Sequence, residues 1–221
     1  MQDKKAILTP GTTYHIYNRA NGNEKIFANE GNYFFFLEKH KHYISSIADT
    51  FCYCLMPNHF HFLIRIKSIS QLCQGYKPLT ELNGKSFQGS TPLTELNEAE
   101  LSNFLSRQFS HLLNGYTQAF NKQQSRKGSL FMRPFKRKRI SDENYLRKLV
   151  HYIHYNPVKA GICSKPEEWK HSSYNAILNL EGFQNLQGFI LKEEVIEWFG
   201  DKENFIYCHR FPQKETGIDK F

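Results

Sequence analysis

The sequence predicts an α+β fold: an antiparallel sheet carrying two helices on one face. Three observations predict it. Two apolar strand patterns, 51–56 and 59–66, flank the punctuating pair Pro57-Asn58. Two long apolar stripes recur at helical spacing, one before that pair and one after it. A β-rich segment precedes the first stripe and an extended basic one follows the second.

Taken in order, Thr12-Thr13-Tyr14-His15-Ile16-Tyr17-Asn18 is β-rich and stops before the turn signal Asn21-Gly22-Asn23. From Glu30 to about Ser46, Tyr33, Phe36, Leu37, Tyr43, Ile44 and Ile47 form an amphipathic stripe, which we read as core. Residues 51–56 read as a buried strand with Cys52 and Cys54 as packing residues. Residues 59–66 alternate cleanly, and a tight turn makes the two strands antiparallel. Between 67 and 97 the pattern breaks: Pro78-Leu79-Thr80-Glu81-Leu82-Asn83 recurs as 92–97, a duplication we read as an insertion in a surface loop. Leu101, Phe104, Leu105, Phe109, Leu112, Leu113, Tyr116 and Phe120 trace a second helix over 98–122. Residues 129–140 look extended. Ser141 or Asp142 caps a last helix, which Pro157 should end near Asn156. The order β-α-β-β-α-β is a split βαβ, a ferredoxin-like core. We place one domain at 1–160 and a C-terminal extension at 161–221, where 193–199 reads as a short helix.

The chain has 221 residues, enough for one domain with appendages. Lys+Arg is 29 against 21 for Asp+Glu, a formal charge of +8, which favours a polyanionic partner, nucleic acid before an acidic membrane. With 15% aromatic residues, the composition argues against disorder. No apolar run reaches the roughly 20 residues of a membrane helix. The five cysteines are odd in number and form no C-x-x-C pair. Together with an N-terminus that lacks a secretory signal, they lead us to expect reduced thiols and a cytoplasmic protein.

Chemistry enters on the second hairpin strand. Its period of two sets His59, His61, Leu63 and Arg65 on one face and Phe60, Phe62, Ile64 and Ile66 on the other. The apolar face belongs under the helices, so the histidines point away from the core, about 7 Å apart along the strand. Two imidazoles so spaced can share a divalent ion, although such a pair in a strand is more often a pair of half-exposed surface histidines. A third ligand is required. On the last helix Tyr145, Leu149, Tyr152 and Asn156 fall on one stripe. An Asn oxygen suits Mg²⁺ or Mn²⁺, and a Tyr one turn away could reach whatever the ion holds. Spacing alone favours a packed Tyr and a helix-capping Asn.

The segment Met56-Pro57-Asn58-His59-Phe60-His61-Phe62-Leu63-Ile64 resembles the HUH motif of IS200-like, single-tyrosine (Y1) transposases. Tyr152-Ile153-His154-Tyr155-Asn156-Pro157-Val158-Lys159-Ala160-Gly161 resembles their tyrosine helix, in the form found in REP-associated tyrosine transposases. Tyr14-His15-Ile16-Tyr17-Asn18-Arg19 and Trp169-Lys170-His171-Ser172-Ser173-Tyr174 are similar to further segments of that subgroup. The resemblance implies a metal-dependent endonuclease and strand transferase on single-stranded DNA, acting in DNA transposition or on hairpin-forming repeats. His59, His61 and Asn156 would hold Mg²⁺ or Mn²⁺. Tyr152 would be the nucleophile, forming a 5′-phosphotyrosine and freeing a 3′-OH. Neutral histidines are needed to ligate, so activity should fall at acid pH. The basic run, with Arg133, Lys136, Arg137, Lys138 and Arg139, would meet phosphates, with Arg65 assisting, and Phe131 and Phe135 would stack bases. The resemblance leaves open a monomer and a homodimer, with the tyrosine acting within or between chains. Two other readings stay open: a non-catalytic nucleic-acid-binding protein derived from a transposase, and a metal-dependent hydrolase that uses water.

Overall fold

The computed structural model describes residues 6–75, 92–179 and 189–211. Strand β1 (Thr13–Arg19) leads through helix α1 (Glu30–Ile44) to the hairpin β2 (Ala48–Met56) and β3 (His59–Ile66). Helices α2 (Ile69–Gly75) and α3 (Glu98–Gln123), strand β4 (Lys136–Ile140) and helix α4 (Glu143–Lys159) follow. The C-terminal part adds α5 (Tyr174–Ile177), α6 (Lys192–Phe199) and α7 (Lys202–His209). The four strands are antiparallel in the order β2-β3-β1-β4, so the first and last strands of the split βαβ lie side by side.

Local chemistry explains where the elements begin. Asn29 and Asn32 form a capping box at the start of α1, and Asn97 and Glu100 form another at the start of α3, each satisfying amides that a helix end leaves open. Asp142 accepts from the Asn144 amide at the start of α4. Helices α1 and α3 pack against each other over the apolar face of β3. Phe36 lies 5.1 Å from Phe60 and edge-on to Tyr116 at 5.0 Å, ring centre to ring centre.

Several expectations need correction. The insertion is not all loop: residues 69–75 are helical with Leu72 buried, and the second repeat copy forms a 3-10 turn, Leu93–Glu95, and the cap Asn97. The first copy, 78–83, lies outside the described residues. The extended segment before β4 contributes only a bridge between Phe131 and Ala20. Helix α4 does not stop at Asn156 but runs on to Lys159 with Pro157 inside it and buried. The turn is braced by Asn156 Nδ2 donating to the Tyr152 carbonyl (2.8 Å) and by the Ala160 amide closing on the Asn156 carbonyl (2.9 Å). Most consequential for the site, the histidine face of the sheet is covered as well. Helices α4 and α6 lie against β2, and α7 lies against α4. The sheet is thus sandwiched, and His61, expected to point away from the core, is 1% exposed.

Candidate active site

The site is assembled by strand pairing. Arg19 sits opposite His59, Tyr17 opposite His61 and His15 opposite Leu63, so β1 and β3 offer the same face of the sheet at these positions. On the other side of β1, Lys138 sits opposite His15 and Lys136 opposite Tyr17. Alternation therefore directs His15, Tyr17 and Arg19 from β1, His59 and His61 from β3, and Lys136 and Lys138 from β4 to one surface. Arg137 and Arg139 face the opposite way.

Helix α4 crosses this surface with the Tyr152 stripe inward. The Tyr152 ring stands edge-on to His61, 5.4 Å between ring centres, and 6.4 Å from His15. The His59 and His61 rings are 5.2 Å apart and nearly perpendicular. Asn156 lies beside both His59 and Tyr152, and its Nδ2 donates to the Tyr152 carbonyl (2.8 Å), so it stands between strand and helix. The two motifs, 93 positions apart in the chain, thus meet in a single copy of it.

Burial sets the charge states. His59 is pushed down to about 4 by desolvation and by the Arg19 guanidinium, while the Asn156 oxygen nearby favours the charged form and so acts the other way. Desolvation, with His15 and His59 beside it, holds His61 well below the ordinary imidazole value. Both rings are therefore neutral near pH 7. Burial pushes the Tyr152 phenol up to about 12, with the Asn156 hydrogen bond acting the other way. His59 Nδ1 lies 2.7 Å from Asn58 Oδ1, an atom that only accepts. The ring proton is thus on Nδ1 and the lone pair on Nε2. Two neutral imidazoles and the Asn156 oxygen could hold a divalent cation. Among the described residues no three His, Cys, Asp or Glu side chains form such a group, so an amide would have to complete it.

The other predicted contacts divide. Lys136 lies over the Tyr17 ring (5.8 Å), and Lys138 Nζ donates to the Tyr145 hydroxyl (2.7 Å), both at the site. Arg133 and Arg139 are exposed, away from the histidines. Arg65 does share the histidine face, but Glu194 of α6 grips it through two bonds of 2.7 and 3.1 Å, so it serves packing rather than phosphate. Arg137 is tied to the Ala6 carbonyl and the Ser106 hydroxyl. Phe131, 3% exposed, is packed beside Phe36, Phe60 and Tyr116, which leaves it no face for a base. Phe135 is half-buried against Phe109 with Arg137 over it. Sequence reasoning assigned no role to His15, Tyr17 or Arg19. Their signal was present as alternation in β1, but only the pairing register shows which face meets the histidines.

Comparisons bear on the same region. No protein-family profile matches the chain. A protein of Haemophilus influenzae, itself provisionally assigned to the REP-associated tyrosine transposases, is 26% identical over 135 residues. That match takes in 60% of this chain and spans 62% of the relative's length. A solved structure of a REP-associated tyrosine transposase bound to a REP hairpin superposes with a TM-score of 0.54, covering 81% of this chain and 86% of that one. At 14% identity this second match is a likeness of fold. In sequence and in fold, then, the chain is similar to the REP-associated tyrosine transposases.

Proposed function

We propose that the chain is a metal-dependent endonuclease and strand transferase for single-stranded DNA, working through a covalent tyrosine intermediate on hairpin-forming repeats. The observation that carries this reading is the position of the Tyr152 ring, 5.4 Å from His61 and with Asn156 beside both it and His59, within one chain. A tyrosine that merely packs needs no such neighbours. The similarity to transposases, one of them bound to a REP hairpin, points to the same substrate class.

In the proposed step the Tyr152 oxygen loses its proton and attacks phosphorus. A P–O(Tyr) bond forms, the bond to the 3′ oxygen breaks, and that oxygen departs and is protonated. The products are a 5′-phosphotyrosine and a 3′-OH. Attack by another 3′-OH reverses the step and joins strands, because one phosphodiester has been exchanged for another. Arg19, Lys136 and Lys138 supply positive charge around the reacting phosphate. A phenol held at about 12 is a poor nucleophile at neutral pH, so its activation must come from the site.

His59, His61 and Asn156 would hold the cation. Their chemistry fits one: both imidazoles are kept neutral, and His59 carries its lone pair on Nε2. When bound, Mg²⁺ or Mn²⁺ would polarise the phosphate and offset charge in the transition state. Two nitrogen donors favour Mn²⁺, since Mg²⁺ prefers an all-oxygen shell. The Tyr152–His61 contact needs no second chain, which supports a tyrosine acting in its own subunit.

The test is a labelled hairpin oligonucleotide incubated with the protein and Mn²⁺, followed by SDS electrophoresis. A protein–DNA adduct is expected. Tyr152→Phe should abolish it and leave DNA binding within about twofold. An adduct that survives this change, or cleavage without any adduct, would overturn the tyrosine assignment. DNA binding that is indifferent to EDTA, with no cleavage by the wild type, would favour a non-catalytic binding protein.

A further inference from the structure

We propose that His15 on β1 is a positioning residue that fixes the ring plane and tautomer of His61, leaving Nε2 of His61 as the unprotonated nitrogen. The inference deepens the reading above, since it rests on His61 being a metal ligand.

His15 Nε2 and His61 Nδ1 are 2.8 Å apart, and both rings are buried, at 3% and 1% exposure. The ring planes differ by only 20° with centres 5.0 Å apart, so the rings meet edge to edge and nearly in plane. That places the N–H of one ring in line with the lone pair of the other. One nitrogen must bring the proton and the other the lone pair. If His15 donates, His61 carries its proton on Nε2 and has no nitrogen left to ligate, because Nδ1 is engaged. If His61 donates, its proton is on Nδ1 and its lone pair on Nε2. Only the second arrangement suits a ligand, and His59 has the same one through Asn58.

His15 is well placed to impose this. It belongs to a central strand paired on both sides, opposite Leu63 of β3 and Lys138 of β4. Tyr17 stacks on its ring at 4.6 Å with 25° between planes. The ring cannot swing away without breaking that stack. Sequence spacing could not show the contact: His15 and His61 are neither opposite each other nor near in the chain, and they meet only along a diagonal of the sheet.

Two measurements test the proposal. The first uses the metal-free wild-type protein near pH 7, where long-range proton–nitrogen NMR reports which imidazole nitrogen carries hydrogen. His61 is expected in the Nδ1–H form, and His15→Phe, which keeps an aromatic ring but has no acceptor, should shift it toward Nε2–H. The second is calorimetric titration with Mn²⁺. His15→Phe should weaken binding by about 10- to 100-fold, as loss of an orienting partner does elsewhere, while His15→Gln, which still accepts, should stay within a few-fold of wild type. An Nε2–H tautomer of His61 in the wild type overturns the proposal, as does a His15→Phe variant that binds Mn²⁺ like wild type while His61→Ala does not bind. If the wild type binds no Mn²⁺, or His61→Ala binds it equally well, the metal reading itself fails and this inference fails with it.

Discussion

Burial of imidazoles gives the molecule a definite response to acid. His40 on α1 is the clearest case. It stacks on Phe62 at 4.1 Å, lies edge-on to Phe189, and neither ring nitrogen has a hydrogen-bond partner among the described residues. Desolvation alone pushes it down to about 3. Its folded value is thus below the unfolded one of about 6.5. Above pH 6.5 the ring is neutral in both states and its contribution is constant. Between 6.5 and 3 the unfolded chain takes up a proton that the folded one refuses, so stability falls as pH drops, by up to about 1.4 kcal/mol per pH unit for this group. His15 and His209, also held at about 3, act in the same direction. His40→Leu should raise stability at pH 7 by roughly 1–2 kcal/mol, because two unsatisfied polar atoms go, and should flatten the loss between pH 6 and 4. Urea unfolding across that range measures both; an unchanged slope would mean that His40 does not set it. The same burial moves the expected acid sensitivity of the ligands. His59 stays neutral down to about 4, so a loss of activity between pH 6.5 and 5 would not come from its protonation.

The tyrosine helix depends on the C-terminal segment for its seat. The Phe205 carbonyl only accepts, so His209 donates to it through Nδ1 (2.7 Å) and offers Nε2 as a lone pair. His154 on α4 must then donate from Nδ1 (3.1 Å), and its own Nε2 accepts from the Ser173 hydroxyl (2.8 Å). Ser173 in turn accepts from the Tyr53 amide of β2 (2.8 Å). This relay runs from α7 through α4 to the sheet, where the single Ser173 proton is shared between His154 Nε2 (2.8 Å) and the Tyr53 carbonyl (3.2 Å). His209→Ala would leave His154 unsatisfied and open a cavity beside Phe205 and Tyr174, costing about 2–4 kcal/mol. Cys208→Ala, exposed on the same helix, should cost under about 0.5 kcal/mol. Equal losses in urea unfolding would show that the relay contributes nothing special. Legibility varies in the same way. Strand β3 is readable to both ends because an apolar face, Phe60 to Ile66, alternates with one carrying His59, His61 and Arg65 even though both are covered, and α3 is readable because one stripe must be apolar. The seat of α4 is not, since polar contacts among His154, His209 and Ser173 leave no period, and Pro157 argues for a stop that tertiary bracing overrides. The paired histidines, Tyr152 and Asn156 were legible as motifs; their covering, and the partner His15, belong to packing.

Among the described residues, the fold separates cations that serve packing from cations that face the site. Arg65 answers to Glu194 and Asp49, Arg126 to Glu24, and Arg137 to a carbonyl and a hydroxyl. Lys136 and Lys138 alternate with Arg137 and Arg139, and the register with β1 sends the lysines to the Tyr152 side. If single-stranded DNA lies across that side, each lysine neutralises about one phosphate and releases the counterion condensed there. The slope of log affinity against log salt is then about −0.7 per contact. Lys136→Ala and Lys138→Ala together should make the slope shallower by about 1.4, and weaken binding most at low salt. Arg65→Ala should leave slope and affinity unchanged within about twofold while lowering stability by about 1 kcal/mol, because it breaks a half-exposed ion pair rather than a DNA contact. Fluorescence anisotropy of a hairpin oligonucleotide over a salt series distinguishes the two groups. A slope that responds to Arg65→Ala and not to the paired lysine variant would place the strand along the β2 side of the sheet, away from Tyr152, and would contradict the proposed transesterification.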